Sequence, residues 1–196
     1  MLSYQHSYHA GNLADVHKHS LLAWTLAYLT RKDKPLTYFE THAGRGLYDL
    51  SSAEALKTGE AAAGIARREA AFPTDHPYRQ AIDATRAAHG PHAYPGSPAI
   101  AAALLRQKDS ITLAERHPAE HAALSKALQG KHIRCVHDDG FAQAKAYLPP
   151  TPRRGVLLID PSYERAEDYR NAAQAVTRAA RVWNVGVVLL LSLIQI

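Results

Sequence analysis

The stretch Val156-Leu157-Leu158-Ile159-Asp160-Pro161-Ser162-Tyr163 decides the fold class that we expect for this chain. Its first four residues are continuously apolar, as in a central strand that is covered on both faces. Its last four residues place an acid and an aromatic ring at the tip of that strand. The stretch therefore predicts a buried parallel strand with polar chemistry at its carboxyl end.

Strand and helix patterns alternate along most of the chain. Asn12 is expected to cap a first helix that runs to about residue 30. The later pattern predicts strands over 36–40, 110–114, 133–137, 155–159 and 185–191, and helices over 99–106, 118–128, 141–147 and 166–180. Because parallel strands need crossover connections, this alternation predicts an α/β fold with a mainly parallel sheet. Such sheets bind ligands at the carboxyl ends of their strands.

Residues 51–93 differ in composition from the rest of the chain. They are rich in alanine, arginine and glutamate, with breaks at Pro73, Pro77 and Gly90, and they predict a small helical insertion. Residues 1–50 and 94–196 would then form the core. Because the apolar run 185–196 ends the sequence without a polar turn, we expect the sequence to be interrupted rather than finished.

Composition indicates the kind of partner and the cellular compartment that we expect for this protein. The 196 residues carry a net charge of +5 and include 12 histidines, which favours a polyanionic partner without specifying nucleic acid. Cys135 is the only cysteine, so no internal disulfide can form, and a reducing cytoplasm is expected. The N-terminus lacks the pattern of a signal peptide. The apolar run 185–196 is too short to cross a bilayer, so no membrane association is expected.

Three predicted strand ends carry groups that suit a nucleotide-like ligand. Gly44 lies in a Gly-x-Gly turn after the first strand, but the chain has neither the spacing of a dinucleotide site nor a phosphate-binding loop. Glu115 is placed to bind two ribose hydroxyls. Asp139 and the amide of Gly140 could bracket the edge of an adenine ring. Taken singly, each also fits a tight turn or a solvated charge.

The tetrad after the central strand gives the sharpest indication of chemistry. The exocyclic amine of adenine is a poor nucleophile because its lone pair is delocalised into the ring. Asp160 and the carbonyl of Pro161 could accept its two N–H groups, and the ring of Tyr163 could stack on the flipped-out base. These residues indicate methylation of an adenine amine.

Several histidines near the N-terminus raise the alternative of a metal site. The candidates are His6, His9, His17 and His19. His17 and His19 are two residues apart on the predicted helix and point in different directions, and no carboxylate completes a ligand set. We therefore expect no metal, and a metal-dependent nuclease is a minor alternative.

With these residues in view, the chain resembles the bacterial RlmJ family of 23S ribosomal RNA adenine-N6 methyltransferases. The resemblance runs in register from residue 1 to about 183, and its N-terminal block is highly specific. The matching motifs are the block 1–19, Thr41-His42-Ala43-Gly44-x-Gly46-x-Tyr48, Tyr94-Pro95-Gly96-Ser97-Pro98, Asp139-Gly140-Phe141 and Arg153-Arg154-Gly155.

The resemblance implies a Rossmann-like class I methyltransferase sheet with helices on both faces and a small helical insertion. It also implies S-adenosylmethionine as cofactor, and a cytoplasmic monomer that acts on free or partly assembled 23S ribosomal RNA. The positions that it assigns to the cofactor are Lys18, His19, His42, Gly44, Ser97, Glu115, Asp139 and Gly140. Asp160 takes the catalytic role with Pro161 and Tyr163, while Tyr4 and His6 would contact RNA or gate the site.

Two features depart from the family pattern. The family's tetrad is usually Asp-Pro-Pro-Tyr, whereas Ser162 stands here in place of the second proline. Serine loosens the loop and adds a donor, because proline fixes φ and has no N–H. Family members also continue beyond the fifth core strand, so the resemblance implies that the last strands of the core are missing from this sequence. These departures keep a second hypothesis open, in which the chain is an impaired or inactive remnant that binds cofactor or RNA.

Overall fold

A computed structural model describes residues 5–192. These residues form two compact units: a sheet unit of Lys32–Gly44 and 106–192, and a helical unit of Gln5–Arg31 and Arg45–Leu105. In chain order the helices and strands are α1 (Leu13–Thr30), β1 (Thr37–Glu40), β2 (Leu47–Asp49), α2 (Ala53–Thr58), α3 (Glu60–Ala63), α4 (Ile65–Arg68), α5 (Pro77–His89), β3 (Ala93–Pro95), α6 (Ser97–Leu104), β4 (Ser110–Ala114), α7 (Pro118–Ala127), β5 (Ile133–Val136), α8 (Gly140–Tyr147), β6 (Gly155–Ile159), α9 (Ala166–Val182) and β7 (Val187–Leu190).

The sheet unit contains five parallel strands in the order β5-β4-β1-β6-β7. The chain adds β4 and β5 on one side of β1 and then crosses to add β6 and β7 on the other side. This reversal of direction beside β1 creates the switch point at which doubly wound sheets bind ligands. The expected α/β class with a mainly parallel sheet is confirmed.

The core of the sheet unit lies between the sheet and helices α8 and α9. All five residues of β6 are buried, which agrees with its continuous apolar sequence. Leu157 and Ile159 belong to one cluster with Phe39 and Trp183, and the indole N–H of Trp183 donates to the carbonyl of Arg153. A buried aromatic side chain contributes a large apolar area to a core, and a hydrogen bond to its polar atom offsets the cost of burying that atom. This cluster therefore stabilises the position of β6.

The helical unit is built on the mutual packing of α1, α5 and α6. Their buried side chains include Leu22, Leu26, Ile82 and Ile100. Asn12 caps α1, as predicted, by accepting a hydrogen bond from the amide of Asp15. Within residues 5–192, no helix combines the length and apolarity that crossing a membrane requires.

A short two-stranded antiparallel sheet of β2 and β3 was not predicted. It pairs Leu47 with Pro95, and the amide of Gly96 donates to the carbonyl of Gly46 at 2.9 Å. Residues 51–93 are mostly helical, and they belong to a larger unit that also includes α1 and α6. The division into a core and a separate 51–93 insertion stays a prediction.

Candidate active site

The carboxyl ends of the strands bring most of the predicted site residues of the sheet unit to one edge. His42 follows β1, Glu115 follows β4, Asp139 follows β5 and Asp160 follows β6. Because these strands are parallel neighbours, their carboxyl ends lie side by side. The geometry is therefore compatible with one ligand site, although the role of each residue stays a prediction.

Glu115 fixes the glycine turn after β1. One carboxylate oxygen accepts a hydrogen bond from the amide of Gly44 at 2.8 Å, and the other accepts one from the amide of His117 at 2.7 Å. Gly44 adopts a φ of 62°, a conformation that glycine reaches without strain. Each oxygen retains a second lone pair, so Glu115 can hold this turn and still accept hydroxyl protons from a ligand.

Asp139 and Gly140 form the junction between β5 and α8. Asp139 caps α8 by accepting a hydrogen bond from the amide of Ala142 at 2.9 Å, and its other oxygen lies 3.3 Å from Arg116 Nη1. A Cβ atom on Gly140 would lie 1.7 Å from the carbonyl oxygen of Thr41. Only glycine therefore allows the start of α8 to approach the loop after β1.

His42 sits in a desolvated position at this edge. Its Nδ1 is 2.8 Å from Thr41 Oγ1, and its ring packs edge-on against Phe141 at 4.8 Å between centroids. Burial lowers the pKa of His42, although the charges of Asp160, Asp168 and Asp139 oppose that effect. The ring is therefore neutral at physiological pH and offers hydrogen bonds rather than a charge.

The loop that begins with Asp160 contains a strained residue. Tyr163 has a φ of 56°, and within the described part of the chain it is the only non-glycine residue with positive φ. Such a conformation costs roughly 1–3 kcal/mol and is common at functional sites. Its hydroxyl donates to the carbonyl of Leu191 at 2.6 Å, which ties the loop to the end of β7.

The ring of Tyr163 already has a protein neighbour. It is 9% exposed and lies 4.7 Å from the ring of Tyr169, at an interplanar angle of 44°. Burial, with the nearby charge of Asp160, raises the pKa of the Tyr163 phenol. The predicted stacking of this ring on a base remains a prediction, and Tyr169 is an aromatic neighbour that sequence reasoning missed.

In the helical unit, predicted cofactor residues lie on α1 and α6. His19 is buried, and its Nδ1 is 2.9 Å from the hydroxyl of Tyr94, which in turn lies 2.8 Å from the hydroxyl of Tyr78. Lys18 precedes His19 and is half-buried. Ser97 is the first residue of α6, where backbone amides lack intrahelical partners. Tyr4 lies outside the described residues.

Asp15 is a buried acid that the sequence analysis did not single out. It is 2% exposed, accepts a hydrogen bond from the amide of Gly11 at 2.9 Å and lies 3.0 Å from His6 Nε2. Burial alone would raise the pKa of Asp15, but His6 and His19 outweigh it and hold that pKa below its usual range. Asp15 therefore stays ionised and fixes His6, whose ring also meets Tyr48 at 5.1 Å.

Among residues 5–192, no three His, Cys, Asp or Glu side chains are grouped so that they could hold a metal ion. His6 contacts Asp15 instead, and His9 Nδ1 lies 2.8 Å from Glu60 Oε1. These two histidines therefore have structural partners in the helical unit.

The strand order and the acids at the switch-point edge are those of a doubly wound, Rossmann-like α/β sheet with its ligand site at the strand ends. The sequence profile of the family described as "Ribosomal RNA large subunit methyltransferase D, RlmJ" matches residues 33–195. The chain belongs to this family of methyltransferases.

Individual relatives agree with the family profile. Proteins named ribosomal RNA large subunit methyltransferase J from Escherichia coli K12 and from Haemophilus influenzae are 41% and 42% identical to this chain. Each alignment covers 95% of this chain and 68% of the relative. A crystal structure of a DUF519-family protein from Legionella pneumophila matches with a TM-score of 0.82 at 39% identity, over 93% of this chain and 68% of that one.

Proposed function

We propose that this chain transfers a methyl group from S-adenosylmethionine to the N6 amine of an adenine in 23S ribosomal RNA. The observation that carries the proposal is the position of Asp160, at the tip of β6 and next to the switch point of a methyltransferase sheet. The relatives are named as methyltransferases of large-subunit ribosomal RNA. We further propose that the protein acts as a monomer in the cytoplasm and without a metal.

The residues at the sheet edge fit the proposed cofactor chemically. Glu115 retains lone pairs for the two ribose hydroxyls, and the carboxylate of Asp139 with the amide of Gly140 can bracket the adenine edge. Neutral His42 and the Gly44 turn add hydrogen-bonding groups beside them. In the proposal, Lys18, His19 and Ser97 keep the cofactor contacts that the family resemblance implies.

The bound cofactor would supply an activated methyl group on a sulfonium. Asp160 and the carbonyl of Pro161 accept the two N–H groups of the target amine and direct its lone pair toward that methyl. On methylation, the proton that the amine loses would pass to Asp160 or to water. Positioning of this kind supplies much of the rate advantage. Tyr163 confines the base, and Tyr4 and His6 order the entrance.

Methyl transfer can be measured directly. The purified chain is incubated with unmodified 23S ribosomal RNA and isotope-labelled S-adenosylmethionine, and the RNA is digested to nucleosides for mass spectrometry. We expect labelled N6-methyladenosine, with a higher yield from Ser162→Pro because proline rigidifies the loop. Asp160→Asn should lower the rate by about 10²–10⁴-fold.

Cofactor affinity, measured by calorimetry, is the matched control for these variants. It should be the same in Asp160→Asn and in the unaltered chain, because Asp160 contacts the target amine in the proposed mechanism. Label on another atom of the base, or no label with either the chain or Ser162→Pro, would refute the proposed reaction.

A further inference from the structure

The positive charge of this chain is unevenly distributed along its sequence. Residues 140–159 and 169–196 contain Lys145, Arg153, Arg154, Arg170, Arg178 and Arg181 but no aspartate or glutamate. The whole chain, by contrast, has 23 basic and 18 acidic residues. These two segments therefore hold more unbalanced positive charge than the net +5 of the whole protein.

The structure arranges five of these cations along α9. Residues 170, 178 and 181 lie within about 80° of one another around the helix, because each residue advances it by about 100°. Arg178 Nη2 donates to the carbonyl of Lys145 at 3.1 Å, and Arg153 Nη2 donates to the carbonyl of Val182 at 3.0 Å. We refer to Lys145, Arg153, Arg170, Arg178 and Arg181 as the α9 basic face.

The α9 basic face is open to solvent, and the acids of α9, Glu167 and Asp168, are confined to its first turn, where Glu167 pairs with Arg165. All five side chains belong to exposed residues. Among the ion pairs found within residues 5–192, none involves any of the five. From Arg170 to Arg181 the face extends about 16 Å along the helix axis, which is long enough to contact several successive phosphates.

A cavity of about 350 Å³ between α8 and α9 adds a second feature to this face. Lys145 and Arg178 line it together with the amide side chains of Asn171 and Gln174. Apolar residues, among them Phe141, Leu148 and Ala175, also line it. Phe141 also packs against His42 of the candidate active site, so the basic face begins beside that site and leads away from it.

We propose that the α9 basic face binds the phosphate backbone of a single-stranded RNA segment that flanks the target adenine. Guanidinium and ammonium groups pair with phosphates without reading sequence. The amide and apolar lining of the cavity suits a nucleobase from the same segment. The identity of the RNA as substrate rests on the proposed function, but binding of RNA to this face does not depend on methyl transfer.

A triple neutralisation tests the inference. Lys145→Gln, Arg170→Gln and Arg178→Gln are combined, and binding of an unmodified 23S ribosomal RNA fragment is followed by fluorescence anisotropy at several salt concentrations. We expect affinity to fall on the order of tenfold or more. The slope of log K against log salt should become shallower by about 2, because each lost phosphate contact on a single strand removes about 0.7.

The matched control removes three exposed cations from elsewhere in the sheet unit, as Lys126→Gln, Lys131→Gln and Arg134→Gln. It lowers the net charge equally, so equal losses in the two triple variants would overturn the inference. An unchanged affinity and slope in the α9 variant would also overturn it. A charge-preserving variant, Arg170→Lys with Arg178→Lys, should keep most of the binding.

The inference and the proposed function fail in different ways. If no methyl transfer occurs but the α9 triple variant alone loses RNA affinity, the inference stands and the proposed reaction does not. If methyl transfer occurs and the α9 variant binds and methylates RNA normally, the reaction stands and the inference is wrong. Melting temperatures of both triple variants, measured by circular dichroism, verify that each is folded.

Discussion

Glu115 illustrates how one side chain at the sheet edge can serve both the fold and a ligand. Its two oxygens accept hydrogen bonds from the amides of Gly44 and His117. The sequence predicted that Glu115 would lie at this edge, because it follows a strand and parallel strands present their carboxyl ends together. Its bonds to Gly44 and His117 were not expected, since the path of the loop after β1 is absent from the local sequence pattern.

We expect Glu115→Gln to weaken cofactor binding about tenfold. The glutamine amide keeps one acceptor oxygen but turns an N–H donor toward a backbone N–H, which costs roughly 1–3 kcal/mol. Calorimetry with S-adenosylhomocysteine measures the effect. Glu120→Gln on α7 is the control for a loss of charge, and a similar loss of affinity in that variant would contradict a specific role for Glu115.

The partly buried ring of His42 should make stability depend on pH. Because burial lowers its pKa from the ordinary value of 6.5, the unfolded chain binds more protons than the folded one as pH falls below 6.5. Stability contributed by the neutral ring is therefore present above that pH and is lost as pH falls toward the lowered pKa. Urea unfolding between neutral and mildly acidic pH should show a shallower pH dependence for His42→Gln.

Exposed His89 provides a control for this pH dependence. His89→Gln removes an exposed imidazole without altering the sheet edge, so it serves as the control for the loss of one histidine. Identical curves for His42→Gln and the unaltered chain would show that His42 does not contribute to the effect.

At the scale of elements, most strands and helices of the sheet unit follow from local pattern. The predicted strands 110–114 and 155–159 coincide with β4 and β6, and the predicted helix 166–180 falls within α9. Apolar runs and helical periodicity suffice where an element is long and packs on one core. The pairing of β2 with β3 was missed for two reasons. Each strand has three residues, too few to show alternating hydrophobicity, and the two strands lie far apart in the sequence.

Gly140→Ala should destabilise the junction of β5 and α8. The added Cβ would lie 1.7 Å from the carbonyl oxygen of Thr41, so either α8 or the loop after β1 must move. We expect a loss of at least about 3 kcal/mol, at the upper end of overpacking costs. The midpoint of urea unfolding measures it.

Gly130→Ala is the matched substitution, because the nearest atoms to its Cβ would be side-chain atoms of His132 at 3.3 Å and Ile133 at 3.5 Å. Its unfolding midpoint should stay close to that of the unaltered chain. Equal midpoints for the two alanine variants would contradict the tight approach of α8 to the loop after β1.

At the scale of the whole molecule, the order of the strands is the property that sequence alone could not supply. Alternating strands and helices predict a parallel sheet, but many orders satisfy that pattern. The order β5-β4-β1-β6-β7 places Asp160 next to the carboxyl end of β1, which His42 follows. Asp15 was not predicted for a related reason. Its burial depends on side chains such as His6, which come close to it only in the folded chain.

Ligand binding should raise the melting temperature of the protein. At about a hundred times its Kd, a ligand that binds only the folded state adds about 2.7 kcal/mol. For a protein of this size that corresponds to roughly 5–11 °C. Thermal unfolding with S-adenosylhomocysteine should show this shift.

Asp139→Asn tests whether Asp139 contributes to the ligand-induced rise in melting temperature. Asparagine caps helices as well as aspartate does, so α8 should remain intact while the acceptor geometry at the adenine edge changes. The variant should melt near the unaltered chain without ligand and show a smaller shift at the same ligand concentration. An undiminished shift would exclude Asp139 as a cofactor contact.

The β2–β3 pair also makes the helical unit convenient to label with a fluorescent reporter. The pairing of Asp49 with Ala93 and the bond from the amide of Gly96 to Gly46 clamp both ends of residues 50–92. The exposed turn at 73–75 lies within this clamped segment. A fluorescent reporter inserted there would be attached to the helical unit. The β2–β3 pair therefore offers a route to following this protein in real time without modifying the sheet unit.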